Sequence, residues 1–95
     1  GLEVTPERLA RIDRAEQFLR AQGLSPLRVR EHAGDLARIE VSVEVLAELT
    51  QSPLVEEVNL YFQQLGYKFV TLDLSGFRSG SLNQLLTLDP PAEAT

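Results

Sequence analysis

The chain contains no cysteine, no methionine and no tryptophan, and it has a single histidine. Without cysteine it can form no disulfide, offer no thiolate to a metal or an iron–sulfur cluster, and supply no cysteine nucleophile or sulfur donor. A Ser–His triad would depend on His32, which lies beside Arg30 and suits a polar neighbour on the same face better. Because a translated chain begins with Met and this one begins at Gly1, we expect a piece of a longer protein.

Long apolar runs and an excess of positive charge are also absent. No apolar stretch approaches the ~18 residues of a membrane span, so we expect a soluble, cytoplasmic protein without membrane contact. A net charge of −5 argues against nucleic-acid binding, which needs surplus Lys and Arg to neutralise phosphates. The sequence also carries no glycine-rich P-loop with Lys, no dinucleotide-binding fingerprint and no paired metal-binding histidines.

Periodicity and capping residues predict a single α+β domain over residues 1–88 and a disordered tail over 89–95. Its first helix is framed by Thr5 as N-cap and by Gly23 at its end. The predicted elements are a helix over 1–24, a hairpin over 27–41, a helical crossover of two segments over 43–65, a third strand over 67–74 and a short helix over 82–86. We expect the helices to cover one face of a small three-stranded sheet, and the third strand leaves open which of its sides is buried.

The hairpin carries the main functional clue. Both of its arms alternate apolar and charged residues, and Gly34 lies between them. If Val29 and Ile39 are both to enter the core, the loop must hold an odd number of residues, because neighbouring side chains point to opposite faces. A loop of residues 33–35 meets this condition.

That register places Arg28 opposite Glu40 and Arg30 opposite Arg38 on the charged face of the hairpin. The first pair is complementary, whereas the second repels across a Cβ separation of about 5 Å. An anion shared between the guanidiniums would relieve the repulsion, since guanidinium binds phosphate and carboxylate through two hydrogen bonds. The sequence therefore predicts an anion or substrate site at Arg28, Arg30 and Arg38; the alternative is a merely solvated face.

Acidic residues near this face widen the candidate site. On the first helix, Glu16 falls at the edge of the apolar stripe, where it either reaches out to water or points into a site between helix and sheet. Several acids beside three arginines suit an anionic ligand together with a divalent cation, which prefers oxygen donors. The loop over 75–83 is rich in backbone donors and hydroxyls, which suits either an anion or a tight turn. Further candidate pocket residues are Asp35, Asp73 and Arg78.

Two long motifs resemble one known family. The first is Arg28-Val29-Arg30-x-His32-x-Gly34-Asp35-Leu36-Ala37-Arg38-Ile39-Glu40-Val41, and the second is Leu65-Gly66-Tyr67-Lys68-Phe69-Val70-Thr71-Leu72-Asp73-Leu74-x-Gly76-Phe77-Arg78-Ser79-Gly80-Ser81-Leu82-Asn83. In this order they resemble the C-terminal part of the LarE-type ATP-dependent sacrificial sulfur transferases of the PP-loop ATP pyrophosphatase superfamily. The resemblance covers most of residues 16–86.

The resemblance implies a parent enzyme that uses ATP and Mg²⁺ to adenylate a carboxylate of a pyridinium dicarboxylate mononucleotide and then transfers sulfur to it, in nickel-pincer cofactor synthesis. The PP-loop and the sulfur-donating cysteine would lie in a preceding N-terminal domain. This fragment alone would then neither hydrolyse ATP nor donate sulfur. It would complete the pocket for an anionic, phosphate-bearing substrate and contribute to homo-oligomer contacts.

The same resemblance suggests roles for individual residues. Arg28 and Arg30 look like phosphate or substrate arginines, Glu16 like the acidic position of the helix, and Glu40 like a metal or pocket acid. The resemblance thus suggests Glu16 and Glu40 as the ligand pair of a divalent metal. Residues inside the matching motifs without a firm role are Asp35, Arg38 and Asp73. The competing hypothesis is a stand-alone anion-binding or oligomerisation module without catalytic activity.

Overall fold

A computed structural model of the chain describes residues 4–77. The elements are α1 (Pro6–Ala21), β1 (Leu27–His32), β2 (Leu36–Val41), α2 (Val43–Leu49), α3 (Leu54–Gln64) and β3 (Phe69–Leu72). The strands form one mixed sheet in the order β1-β2-β3, with β1 antiparallel and β3 parallel to β2. This confirms the predicted α+β class with a small three-stranded sheet. The helix predicted over 82–86 and the tail over 89–95 lie outside the described residues.

Helix α1 is defined by its end residues. The hydroxyl of Thr5 accepts a hydrogen bond from the Arg8 backbone N–H at 3.2 Å, and Pro6 occupies the first helical position. At the other end, Gly23 takes a φ of +80°, and the N–H of Leu24 returns to the carbonyl of Leu19 at 3.4 Å. This turn delivers Leu24 to the core and leads the chain into β1.

The hairpin has the predicted three-residue loop and register. Arg28 lies opposite Glu40, and Arg30 opposite Arg38, with loop residues 33–35 between the strands. Gly34 and the following residue have φ values of +84° and +57°, a region that glycine enters at no steric cost and that Asp tolerates. The parity argument, together with the choice of a three-residue loop, therefore predicted the pairing of β1 with β2.

The helices pack on one face of this sheet and enclose a continuous apolar core. Its buried members are Ala15, Leu19, Leu24, Leu27, Val29, Ala37, Ile39, Val41, Leu49, Val58, Phe62 and Tyr67. In β3, Val70 and Leu72 turn toward this core, whereas Phe69 and Thr71 are exposed. The side of β3 that the sequence left undecided is thus resolved by packing against α3.

The opposite face of the sheet, called here the open face, carries the alternate set of side chains. These are Arg28, Arg30 and His32 of β1, Leu36, Arg38 and Glu40 of β2, and Phe69 and Thr71 of β3. No helix within residues 4–77 is both long and apolar enough to cross a membrane.

Candidate functional site

Glu40 lies at the centre of the open face, between two arginines. Its Oε1 is 3.5 Å from Arg30 Nε, and its Oε2 is 3.0 Å from Arg38 Nη2. The residue is only 6% exposed although it lies on the face turned away from the helices. The two guanidiniums that the register sets face to face therefore share a carboxylate supplied by the chain itself, which offsets their mutual repulsion.

Arg38 is also near a second carboxylate, that of Asp73. Asp73 follows β3, and its Oδ2 is 3.9 Å from Arg38 Nε, while its Oδ1 accepts a hydrogen bond from the Ser75 N–H at 2.9 Å. At that distance the contact is an ion pair rather than a hydrogen bond. Arg38 Nε is buried and has no hydrogen-bond partner within the described part of the chain, so it retains an unused donor.

Arg28 differs from the other two arginines of the open face. Its side chain is exposed, and within residues 4–77 it makes no ion pair, although Glu40 is its partner in the register. Counted over residues 4–77, the three arginines against Glu40 and Asp73 leave one positive charge in excess, on a chain whose net charge is −5. The open face therefore offers an accessible guanidinium beside two oriented ones, an arrangement that suits a small anion.

Glu16 does not point onto the open face. Its Oε2 accepts a hydrogen bond from the Val29 backbone N–H at 2.9 Å, and its Oε1 accepts one from Arg20 at 3.2 Å. β1 is an edge strand, so the carboxylate satisfies a backbone donor that no neighbouring strand reaches. The polar position at the edge of the α1 stripe thus joins the helix to the sheet.

The donors around Glu16 and Glu40 decide how well they suit a metal. Both oxygens of each carboxylate already face N–H donors, and the two side chains lie on different elements with different partners. The described residues contain no group of three or more His, Asp or Glu side chains arranged to hold a metal ion. The metal role of this pair stays a prediction, and it requires a cation to displace those donors.

Asp35 lies on the helical side of the hairpin loop. Its carboxylate is 3.3 Å from Arg11 Nη2, and its carbonyl accepts a hydrogen bond from the Lys68 N–H at 2.8 Å. It therefore joins the loop to α1 and to the start of β3. Arg78 lies outside the described residues. The predicted site residues that share or adjoin the open face are Arg28, Arg30, Arg38, Glu40 and Asp73.

A buried ionic cluster on the helical side was missed by sequence reasoning. Arg11 forms a two-pronged contact with Glu31, at 3.3 Å from Nε to Oε1 and 2.9 Å from Nη2 to Oε2. The Tyr67 hydroxyl donates to the same Oε1 at 3.0 Å, and the Arg11 guanidinium lies 4.3 Å from the Tyr67 ring centroid. Arg8 Nε completes the surroundings of Glu31 at 3.5 Å from Oε2. The Glu31 side chain is only 4% exposed.

One signal in the sequence pointed to this cluster. Glu31 stands at the parity of Leu27 and Val29, so a charged residue occupies a core-facing position of β1. Gly66 is explained by the same cluster, because a Cβ added there would meet Arg11 Nη1 at 2.8 Å. The hydrogen bond with Glu31 raises the pKa of Arg11, and burial raises the pKa of Tyr67, with the Glu31 carboxylate adding to that rise.

The raised pKa of Tyr67 predicts a loss of stability in alkali. In the unfolded chain a tyrosine loses its proton near about pH 10, whereas the folded protein holds that proton to higher pH. Stability from this group is thus complete below about pH 10 and falls above it, by at most ~1.4 kcal/mol per pH unit. Urea unfolding at increasing pH should show this slope, and Tyr67→Phe should flatten it. Equal slopes in both proteins would contradict the prediction.

Two curated relatives match most of this chain. An uncharacterized protein of Synechocystis sp. is 44% identical over 87 residues, which cover 92% of the chain and 32% of that protein. The pyridinium-3,5-bisthiocarboxylic acid mononucleotide synthase of Lactiplantibacillus plantarum is 40% identical over 87 residues, which cover 92% of the chain and 30% of the synthase. The chain therefore spans about a third of the length of the curated relatives it matches. No family model matches it.

These matches bear on the resemblance drawn from the two motifs. The chain is related to part of this synthase, which confirms the resemblance at that level. The C-terminal position of the matching part, and a PP-loop domain beside it, stay predictions.

Proposed function

We propose that this chain is a substrate-binding domain of an enzyme that makes a pyridinium bisthiocarboxylic acid mononucleotide on the way to a nickel-pincer cofactor. The observation that supports this proposal is the 40% identity with a synthase of that name. The match covers 87 of the 95 residues. A continuous match of that length therefore includes every residue of the open face. The face with one excess positive charge is then the part of the chain that binds the anionic groups of the substrate.

Arg28 is the first contact in this proposal. It is exposed and without an ion pair among the described residues, so it can bind a phosphate or carboxylate through two hydrogen bonds at no cost in broken contacts. Arg30 lies next to it on the same face of β1, with Nε directed to Glu40. Its remaining donors extend the anion site toward β2.

Glu40 and Asp73 orient the arginines rather than bind substrate. Glu40 is buried between Arg30 and Arg38, so it holds the two guanidiniums in one arrangement before an anion arrives. The same carboxylate occupies donors of both guanidiniums and neutralises part of their charge, so Glu40 fixes their positions and at the same time competes with an incoming anion. Arg38 is held between Glu40 at its Nη2 and Asp73 near its Nε, and its side chain is still 38% exposed.

Activation of the substrate is assigned to other parts of the parent protein. ATP with Mg²⁺ would convert a carboxylate of the substrate to its adenylate. In this proposal the ATP site lies in a PP-loop domain that pairs with this chain. The whole enzyme forms a homo-oligomer. The chain offers no glycine-rich phosphate loop with Lys and no cysteine, so we route neither nucleotide nor sulfur chemistry through its residues.

The anion site is tested by removing its two arginines on β1. Arg28→Ala combined with Arg30→Ala should weaken binding of inorganic phosphate at least about tenfold, because each charge-assisted hydrogen bond contributes about 1.5–3 kcal/mol. Isothermal titration calorimetry measures this, and circular dichroism checks that the variant stays folded. The matched control, Arg14→Ala combined with Arg20→Ala, removes the same charge from exposed positions of α1. Unchanged affinity in the folded β1 variant, or equal losses in both variants, would refute the site.

A module without chemistry of its own is the second candidate. The observation that favours it is that the two carboxylates at the open face, Glu40 and Asp73, both face Arg38 or Arg30 within 3.0–3.9 Å, which leaves neither as an evident general base. Under this hypothesis the module stands alone, so the arginine variant would lose phosphate binding and no synthase activity would change with it. Under the first, affinity and activity fall together.

A further inference from the structure

Phe69 is unusual among the aromatic residues of this chain. Phe18 stacks on Tyr61 with ring centroids 4.3 Å apart, and Phe62 packs against Tyr67 at 5.8 Å. Phe69 is 59% exposed and has no ring partner among the described residues. The other strongly exposed large apolar residues of residues 4–77 are aliphatic, namely Val4, Leu9, Val43, Leu60 and Leu74.

The register places this ring next to the proposed anion site. Phe69 lies opposite Leu36 of β2, and Thr71 lies opposite Arg38. The Phe69 row is therefore one step along the open face from the row of Arg30 and Arg38, a spacing of about 7 Å for residues two apart in a strand. A neutral aromatic surface thus stands beside a cluster of guanidiniums, on a face that the described helices do not cover.

We propose that Phe69 is the surface on which the pyridinium ring of the substrate stacks while the phosphate of the same molecule binds the arginines of the open face. This inference rests on the proposed function and adds its ring-recognition residue. A mononucleotide carries its ring and its phosphate on opposite sides of one ribose, so it needs two sites a short distance apart. The Phe69 row and the arginine row supply two such sites.

The chemistry of the ring explains why an aromatic side chain suits it. A pyridinium ring carries its positive charge in the π system, and the face of a phenyl ring attracts a cation, whereas the arginines suit the anionic groups of the same molecule. The half-buried Leu36 beside Phe69 adds an uncharged surface at the same place. The open face then distinguishes a pyridinium mononucleotide from a phosphate that lacks the ring.

The experiment compares two probes, nicotinamide mononucleotide and ribose 5-phosphate, by calorimetry. Phe69→Leu should weaken binding of nicotinamide mononucleotide about fivefold, as expected for an exposed cation–π contact, and leave ribose 5-phosphate unchanged. Phe69→Tyr keeps the ring and should retain the affinity. Leu60→Ala is the matched control, because Leu60 is equally exposed, at 59%, but lies on α3. It should leave both affinities unchanged.

Each result separates this inference from the proposal on which it rests. If Phe69→Leu leaves both affinities unchanged, or lowers them equally, the stacking role is wrong. The arginine site is then still judged by its own variant, Arg28→Ala combined with Arg30→Ala. If the unaltered protein binds neither probe, both the anion site and the stacking role are wrong. A loss confined to nicotinamide mononucleotide and restored by Phe69→Tyr supports the inference.

Discussion

Replacing Glu40 by Gln is expected to lower the free energy of unfolding by about 2 kcal/mol and at the same time to strengthen phosphate binding about tenfold. The two effects have one cause. Glu40 is buried between Arg30 and Arg38, which lie opposite each other in the register. Without its charge, the two guanidiniums repel, and they also become free to bind an added anion.

The size of the stability loss follows from the exposure of the three side chains. Breaking a fully buried ion pair costs about 3–5 kcal/mol. The Glu40 side chain is 7% exposed, but those of Arg30 and Arg38 are 46% and 38% exposed, so solvent screens part of their repulsion. We therefore expect a value below the buried range.

Urea unfolding and phosphate calorimetry together test the Glu40 prediction. Added phosphate should stabilise Glu40→Gln more than the unaltered protein, because a ligand that binds the folded state more tightly raises its stability further. Glu57→Gln, a change of the same type at an exposed position of α3, should alter stability by less than about 0.5 kcal/mol. If Glu40→Gln were destabilised but bound phosphate no better, the arginines would not form an anion site.

The hairpin was predictable because its rules are local. Alternation fixes which side chains share a face and requires a loop of odd length, and the three-residue choice centred on Gly34 then sets Arg30 opposite Arg38. The carboxylate between them was not predicted, because Glu40 was expected to pair with Arg28 or to bind a metal, and not to contact Arg30 and Arg38. The contact with Asp73 needs the parallel pairing of β3 with β2, which alternation does not encode.

Contacts between distant segments account for most of what the sequence did not reveal. Glu16 looked misplaced on its helix because its partner is a backbone N–H of β1, and no residue type signals an unpaired edge donor. Phe69 was placed on one side of β3 without a decision about burial, because both sides carry apolar residues, Val70 and Leu72 on one and Phe69 on the other. Only the packing of α3 against β3 decides between them.

The largest stability effect is expected at Glu31, on the opposite side of the sheet. Glu31→Gln should lower the free energy of unfolding by about 3 kcal/mol, because it leaves the charge of Arg11 inside the protein with Asp35 as its one remaining carboxylate among residues 4–77. The side chains of Glu31 and Arg11 are 4% and 19% exposed, so solvent compensates little. Tyr67 keeps a hydrogen-bond acceptor in this variant, so the loss measures the charge rather than the hydroxyl.

A variant that removes the whole cluster tests that explanation. Arg11→Met, Glu31→Leu and Tyr67→Phe combined replace the ionic contacts by apolar groups of similar size. Since burying ions costs desolvation that their attraction only partly repays, this triple variant should be more stable than Glu31→Gln alone. Both are compared by urea unfolding in the same buffer.

The comparison has one outcome that would overturn the argument. If the triple variant is less stable than Glu31→Gln, the ion pairs of the cluster themselves stabilise the fold. The loss in Glu31→Gln would then not come mainly from a buried charge left without its partner. Gly66 gives an independent check, because its missing Cβ makes room for Arg11 Nη1. Gly66 also has a φ of +110°, so the cost of Gly66→Ala includes backbone strain that persists when Arg11 is Met. Gly66→Ala should therefore cost less stability in the Arg11→Met background than in the unaltered protein. The difference between the two costs is the steric contribution of the guanidinium, and a difference of zero would contradict the buried cluster.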